Sequence, residues 1–375
     1  MRLLIYSNRH AKEQVHNLQD NDYLVLQDSW AVDIWNWVLD YNNINKKINI
    51  ILLDELLGGR LDNMTFDYIL QNPPYQKQVG PTKTEKIWQR IIVKTYSLLR
   101  PGGTMTSVHP SAWRFVSDGS RGDVKEIQNI YKTNKITHME LHDYVDGVDN
   151  FGASTDYDIV TLVKEPYNGP GDISTKSGTV SVDLSLLDVI PTDRFDLYLK
   201  LIANKGESKV EMINDSNYHT SNGMGTSALN TNKDKNETFK YPVIYTITEN
   251  DGVVLWYANT NNKGHFGIPK LILKKGSIKS ILDINGEYGM TQFASAIVDE
   301  PENLIRMQKA LESKEFKELK GLFCGIGPSN SRNAITDGLG TMFKFIKSFK
   351  KDFWKEFYTD EMEQELIKEG KLNAN

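Results

Sequence analysis

FDYILQNPPYQ, running from Phe66 to Gln76, is the stretch on which the reading of this chain turns. An apolar, strand-forming run stops abruptly at an amide followed by two prolines and an aromatic ring. Pro73 pushes Asn72 away from helical torsions, and Pro73 and Pro74 both hold φ near a single value, so the strand ends in a stiff elbow. The carboxyl edge of a strand is where open α/β sheets bind ligands. Asn72 presents a side-chain carbonyl there, and the Pro73 peptide oxygen is left to accept because no local donor claims it. Two acceptors side by side suit a planar NH2 group with two hydrogens. The Tyr75 ring beside them suits stacking on the flat body that carries it.

Outward from this elbow, the chain up to about residue 165 alternates strand and helix patterns. Strands are expected at DYLVLQ (Asp22–Gln27), INIILLD (Ile48–Asp54), FDYILQ, GTMTSVHP (Gly103–Pro110), KITHMELHD (Lys135–Asp143) and YDIVTLVK (Tyr157–Lys164). EKIWQRIIVKTYSLL (Glu85–Leu99) reads as a helix, and the RPGG after it supplies a glycine for a left-handed cap. Strands separated by helices predict an α/β fold with a doubly wound, parallel, Rossmann-like sheet. KEPYNGPGDISTKSGT (Lys164–Thr179) is rich in turn residues and reads as a domain boundary, after which short strands, a polar loop at Asn222–Thr238 and the helix Glu302–Leu319 suggest a mixed α+β region.

The totals narrow the classes. The chain has 375 residues, 39% of them hydrophobic, enough for two domains or one large one. No apolar run approaches the ~20 residues that cross a bilayer, and the start is too quickly polar for a secretory signal. A single cysteine, Cys324, excludes an internal disulfide and thiolate zinc clusters and fits a reducing, cytoplasmic compartment. With a net charge of −5 the whole molecule does not attract nucleic acid, so any such contact needs a local basic groove. PKLILKKGSIKS (Pro269–Ser280) and KFIKSFKKDFWK (Lys344–Lys355) are the candidates, set against the plainer reading of solvated lysines.

The elbow Asn72-Pro73-Pro74-Tyr75 resembles the catalytic motif of N6-adenine-specific DNA methyltransferases, usually written Asn/Asp-Pro-Pro-Tyr/Phe. Such a tetrapeptide arises by chance in roughly one chain in a thousand of this length, so the resemblance carries weight. It implies S-adenosyl-L-methionine as cofactor, double-stranded DNA as partner, Asn72 and Pro73 as acceptors for the adenine amino group, and Tyr75 stacking on an extruded base. YSLLRPGGTMTSVHPSAW (Tyr96–Trp113) is similar to the family's next helix, turn and strand, and VDNFGASTDYDIVTLVK (Val148–Lys164) to the later segment whose aromatic residue packs on the base, here Phe151. Asp54 matches the acidic strand end that approaches the cofactor's adenine; the same residue also suits a helix cap. The second half resembles the target-recognition region of the large restriction–modification enzymes, with Lys270, Lys274, Lys275 and Lys279 implied as phosphate contacts. The expected layout is a catalytic domain at 1–168, a target-recognition domain at 180–357 and a charged helical tail at 358–375. No metal is implied. Enzymes that methylate glutamine side chains or guanine amino groups in RNA share the motif's logic and remain an alternative.

The pattern breaks at one place. The family holds its cofactor on a glycine-rich turn upstream of the motif, yet no glycine precedes Gly58. Three explanations stand. The catalytic domain lacks its amino-terminal part, or a second polypeptide supplies it, with MRLLIYSN the helix after the missing loop. The order is permuted, with Gly325 and Gly327 of LFCGIGPSNS as the turn. Or methylation is lost, leaving an inactive DNA-binding protein.

Overall fold

Leu3, Leu4 and Ile5 expose 2% or less of their surface, which requires apolar neighbours on both faces and on both edges. They lie in the strand β1 (Arg2–Ile5), placed inside a nine-stranded sheet. The computed structural model describes residues 1–5, 15–116, 122–167, 169–214, 218, 230–247, 252–274, 279–291, 294–318 and 346–373. The chain divides into two compact units, Met1–Asp193 and Arg194–Asn375.

In the first unit β1 is followed by β2 (Tyr23–Leu26), α1 (Ser29–Tyr41), β3 (Asn49–Leu52), α2 (Leu53–Leu57) and β4 (Phe66–Gln71). Next come the hairpin β5 (Gln76–Gln78) and β6 (Thr84–Lys86), α3 (Trp88–Leu98), β7 (Leu99–Pro110) and α4 (Gly122–Thr133). The unit continues through β8 (Asn134–His142), α5 (Tyr144–Phe151), β9 (Tyr157–Pro166), β10 (Gly171–Thr175) and β11 (Gly178–Val182). The sheet order is β11-β10-β8-β9-β7-β4-β1-β2-β3. The strands from β3 to β7 run parallel, while β9 is antiparallel to both β7 and β8. This is the mostly parallel, Rossmann-like sheet expected from the alternating pattern.

Three expectations change. MRLLIYSN does not open as a helix: Arg2–Ile5 is a central strand, because four residues with both neighbours parallel bury an apolar run best when extended. The sheet is therefore not missing its middle. The Gly/Pro/Ser/Thr-rich stretch near residue 170, read as a domain boundary, forms the hairpin β10–β11 inside the first unit, and Ile173, 1% exposed, pairs beside Met139 of β8. The glycines of RPGG do not cap α3, whose last residue is followed directly by extended Leu99. They form a bulge at the start of β7, where the pairing jumps from Phe66–Leu99 to Tyr68–Thr104 and Gly102 takes φ 71°.

In the second unit β12 (Glu211–Asn214), β19 (Ala294–Val298), β16 (Lys270–Lys274) and β17 (Ser280–Asp283) form one sheet in that order. A second sheet is ordered β13 (Thr231–Asn232), β15 (Val253–Ala258), β14 (Tyr241–Ile247) and β18 (Gly289–Met290). The helices are α6 (Phe195–Leu201), α7 (Pro301–Leu311), α8 (Lys314–Glu318) and α9 (Asp360–Lys368). The charged tail helix α9 is held to α7 by Arg306, which donates to both Glu363 oxygens at 2.9 Å, and by Lys309–Glu365 at 2.8 Å.

A Cβ on Gly103 would lie 2.8 Å from Leu99 Cδ1, 3.0 Å from Arg100 O and 3.1 Å from Asp67 O. Gly103→Ala is therefore expected to destabilise the protein by about 1–3 kcal/mol in urea unfolding, and an unchanged midpoint would contradict the bulge.

Candidate active site

In a sheet that reverses its strand order at β1 and β4, the crevice beyond their carboxyl ends is the natural ligand site. β1 and β4 pair in register from Arg2–Tyr68 to Ile5–Gln71, and Asn72 N–H extends the ladder by donating to Ile5 O at 2.9 Å. Gln71 is locked from behind: its Nε2 donates to Ser107 Oγ at 2.8 Å, and Thr95 Oγ1 donates to its Oε1 at 3.2 Å. The backbone of the elbow is thus pinned, yet the Asn72 carboxamide is half-exposed and has no hydrogen-bond partner among the described residues. The Pro73 carbonyl likewise enters no backbone bond among them. Tyr75 is half-buried, its own carbonyl accepting from Ile87 N at 3.2 Å. Burial, with the Asp158 carboxylate and the Tyr157 phenol beside it, holds the Tyr75 hydroxyl well above its usual pKa, so the ring stays neutral.

Tyr157 connects this group to Phe151. Phe151 ends α5, half-buried, and meets the Tyr157 ring edge-on at 4.8 Å and 81°. His142 stacks on the Tyr157 ring at 4.4 Å and 6°. Beneath the edge, His109 is fully enclosed between Trp88 (5.3 Å, 2°) and Tyr131 (5.7 Å, 15°), with Nε2 2.8 Å from Tyr131 Oη. Burial lowers its pKa to about 4, which keeps it uncharged as part of an aromatic wall.

Against that wall sits a charged group that sequence reading missed. Arg114 and Asp158 expose no side-chain surface; Arg114 Nε is 3.3 Å from Asp158 Oδ2, to which Trp113 Nε1 donates at 2.7 Å. Arg114 also donates to Thr192 Oγ1 at 2.9 Å. Arg114 Nε and Nη2, Asp158 Oδ1 and Asp156 Oδ1 are buried without a hydrogen-bond partner among the described residues. Donors and acceptors left over together in one place are satisfied most simply by enclosed water. The alternation Asp156-Tyr157-Asp158 at a strand start was the only signal in the sequence, and it does not reveal that both acids point inward.

The cofactor side is partly described. Asp28 follows the carboxyl end of β2 and takes the N-cap position of α1 without spending its side chain on a capping bond. It is half-buried and lies next to β1 in sheet order, where an acid can accept from a ribose hydroxyl; the sequence reading passed over it. Asp54 lies two residues past the end of β3, in the first turn of α2. It is exposed and takes Lys77 Nζ at 2.6 and 2.7 Å. Because β2 and β1 lie between β3 and β4, this ion pair spans their carboxyl ends. The segment after β1, residues 6–14, and the alternative turn at Gly325 and Gly327 lie outside the described residues.

Of the four expected lysines, Lys270 is placed differently from the expectation. Lys270 is not a phosphate contact: it exposes none of its side chain, stands opposite Asp283 in the β16–β17 ladder, and donates to Asp283 Oδ2 at 2.7 Å and Ile268 O at 3.2 Å. An inner strand alternates its side chains, and this one points into the unit. The Lys274 side chain and all of Lys275 lie outside the described residues. Lys279 borders a cleft of about 770 Å³ whose other charges, Lys309, Lys317, Glu312, Glu361 and Glu365, are of both signs. Of the second basic stretch, Lys350 and Lys351 pair with Glu356 at 3.0 Å and Asp299 at 3.5 Å.

The family described as Methyltransferase small domain matches residues 15–136. That span covers β2 to the start of β8 and includes the elbow. The mostly parallel sheet matches the Rossmann-like methyltransferase fold, which is consistent with S-adenosyl-L-methionine as cofactor. Among solved structures, an O-methyltransferase from Bacillus cereus in complex with SAH is similar at 15% identity, over 44% of this chain and 74% of that one, with TM-score 0.30. TrmN from Thermus thermophilus is similar at 15% identity over 44% of each chain, TM-score 0.30. The M protein of the type I restriction enzyme EcoKI is similar at 12% identity, over 43% and 39%, TM-score 0.31. The chain spans only 56%, 43% and 40% of three further structures it resembles. No curated protein matches it. No helix among the described residues is long and apolar enough to cross a membrane.

Two outcomes check these placements. Burial is the main cause that pushes the Asp156 carboxyl up to about 6, with Arg114 opposing it and Asp158 adding to it. An acid whose folded-state pKa is raised stabilises the fold when protonated, and this contribution is lost as pH rises through about 6. Because burial pushes Asp158 up to about 6 as well, Asp156→Asn should reduce rather than abolish the fall in stability between pH 4.5 and 7.5 and add on the order of 2 kcal/mol at the upper end, read by urea titration at both pH values. Identical pH profiles would contradict the buried charge. Lys270→Met should cost about 3 kcal/mol in urea unfolding by stranding Asp283, and an unchanged midpoint would contradict the buried pair.

Proposed function

We propose that the chain is a DNA adenine-N6 methyltransferase acting on an adenine extruded from duplex DNA. One observation carries this reading: the Asn72 carboxamide and the Pro73 carbonyl stand unpartnered at the β1–β4 crevice while the backbone around them is fixed. The described residues fit the adenosine half of the cofactor, with Asp28 and Asp54 at adjacent strand ends. Bound there, S-adenosyl-L-methionine supplies a methyl group activated by a sulfonium.

The chain's own work is done on the amine. The lone pair of adenine N6 is delocalised into the ring, and its two hydrogens keep it planar. Asn72 Oδ1 and Pro73 O accept one hydrogen each, draw the nitrogen towards tetrahedral geometry and stabilise positive charge as it develops. Tyr75 stacks on the base, and Phe151 closes the opposite side through Tyr157. The hydrophobic wall around His109 excludes water beneath the edge. With the cofactor bound, the new N–C bond would form as the methyl–sulfur bond breaks, S-adenosyl-L-homocysteine would depart as the neutral thioether, and the proton displaced from N6 would leave to solvent. The residues after the catalytic unit, with Lys279, Lys274 and Lys275, contact phosphate and bases. A second polypeptide that completes the cofactor loop, and a cytoplasmic location, belong to the same reading.

The test incubates wild type and Asn72→Ala with labelled S-adenosyl-L-methionine and duplex DNA, with RNA and a glutamine-containing protein as competitors. Asn72→Ala should lower transfer to adenine by about 100-fold or more, comparable to removing one donor of an oxyanion hole. Transfer indifferent to Asn72, or label on RNA or protein in preference to DNA, would overturn the assignment. No transfer with intact cofactor binding would leave a DNA-binding protein that has lost the chemistry.

A further inference from the structure

Helix α1 carries two apolar faces, and the fold uses one. Ala31, Trp35 and Val38, at most 5% exposed, pack against Leu4, Leu18, Leu24 and Leu26. On the outer side stand Trp30, Ile34, Trp37 and Tyr41, exposed by 54%, 38%, 62% and 69%. Their spacing of four, three and four residues sets them in one stripe along the helix. Trp37 and Tyr41 stack at 5.2 Å and 23°, so the stripe is already ordered. Large apolar groups scattered singly on a surface mean little; four in a row on about 20 Å of helix mark a contact.

We infer that this stripe docks an amphipathic helix of another polypeptide, apolar on one face and flanked by lysine or arginine. Charge selects that occupant. Asp33 and Asp40 flank the stripe on one side, exposed and without an ion pair among the described residues, and α1 holds no basic residue. Anionic lipid headgroups and DNA phosphates are both repelled by such a flank. A second copy of this chain, laid antiparallel across the stripe, would bring its own Asp33 and Asp40 onto the same seam. A stable dimer buries roughly 800 Å² per partner, more than one helical stripe of four side chains is built to supply. A helix laid along it needs less, because anchors at positions i, i+4, i+7 and i+11 concentrate the binding in a few aromatic rings. Trp30 lies two residues beyond Asp28, so the docked helix ends at the carboxyl edge of the sheet. The inference stands on α1 alone and does not depend on the reaction proposed above.

The probes are two labelled synthetic helices of about 20 residues with the same leucine stripe, one flanked by lysine and one by glutamate. Fluorescence anisotropy with the full chain should show saturable binding of the lysine-flanked helix. Trp37→Ala should weaken it by at least about tenfold, and Asp33→Lys with Asp40→Lys should reverse the preference between the probes. These side chains are exposed, so an unchanged urea midpoint certifies that each variant is folded. Equal binding of both probes, indifference to the substitutions, or no binding would overturn the inference. Sedimentation of the protein alone supplies the competing outcome: a dimer abolished by Trp37→Ala would assign the stripe to a second copy instead.

Discussion

The bond from Asn72 N–H to Ile5 O is the point on which the first unit is organised. It is the last rung of a buried parallel ladder, and it lies where the strand order reverses. Below it, Leu3, Leu4 and Ile5 are enclosed by both neighbouring strands. Above it, two prolines stop the strand, so the next side chain has a fixed backbone and a free carboxamide. Pairing below and rigidity above are both needed. A floppy asparagine would lose the orientation of its acceptor, and a paired one would have no acceptor to give.

The chemistry at this edge is bounded by groups that stay neutral and groups that do not. His109, Trp88, Tyr131 and Tyr75 form an uncharged aromatic lining, because burial disfavours ionisation of each titratable ring among them. Behind it, Arg114 and Asp158 form an ion pair wholly removed from solvent. Such a pair is poor evidence of stability, since desolvation offsets much of its attraction. Its effect here is on order: three strand and loop ends, from β7, β9 and the segment reaching Thr192, share one guanidinium and one carboxylate.

Much of this was legible beforehand. Alternating apolar runs predicted the strands β2, β3, β4, β7, β8 and β9, and two prolines after an asparagine predicted the elbow. What escaped has physical reasons. Arg2–Ile5 is too short for periodicity to separate strand from helix. The β10–β11 hairpin and a flexible linker use the same turn residues, and only pairing with β8 distinguishes them. Lys270 reads as basic surface until Asp283, thirteen residues away, is known to stand opposite it. Asp28 looks like any helix-capping acid; that its side chain is not used for capping is visible only in three dimensions.

The ion pair between Asp54 and Lys77 runs over the ends of β2 and β1, from the far rim of the crevice to the hairpin that leaves the elbow. Being exposed, it is worth at most about 1 kcal/mol. A crossbar this weak tethers without sealing.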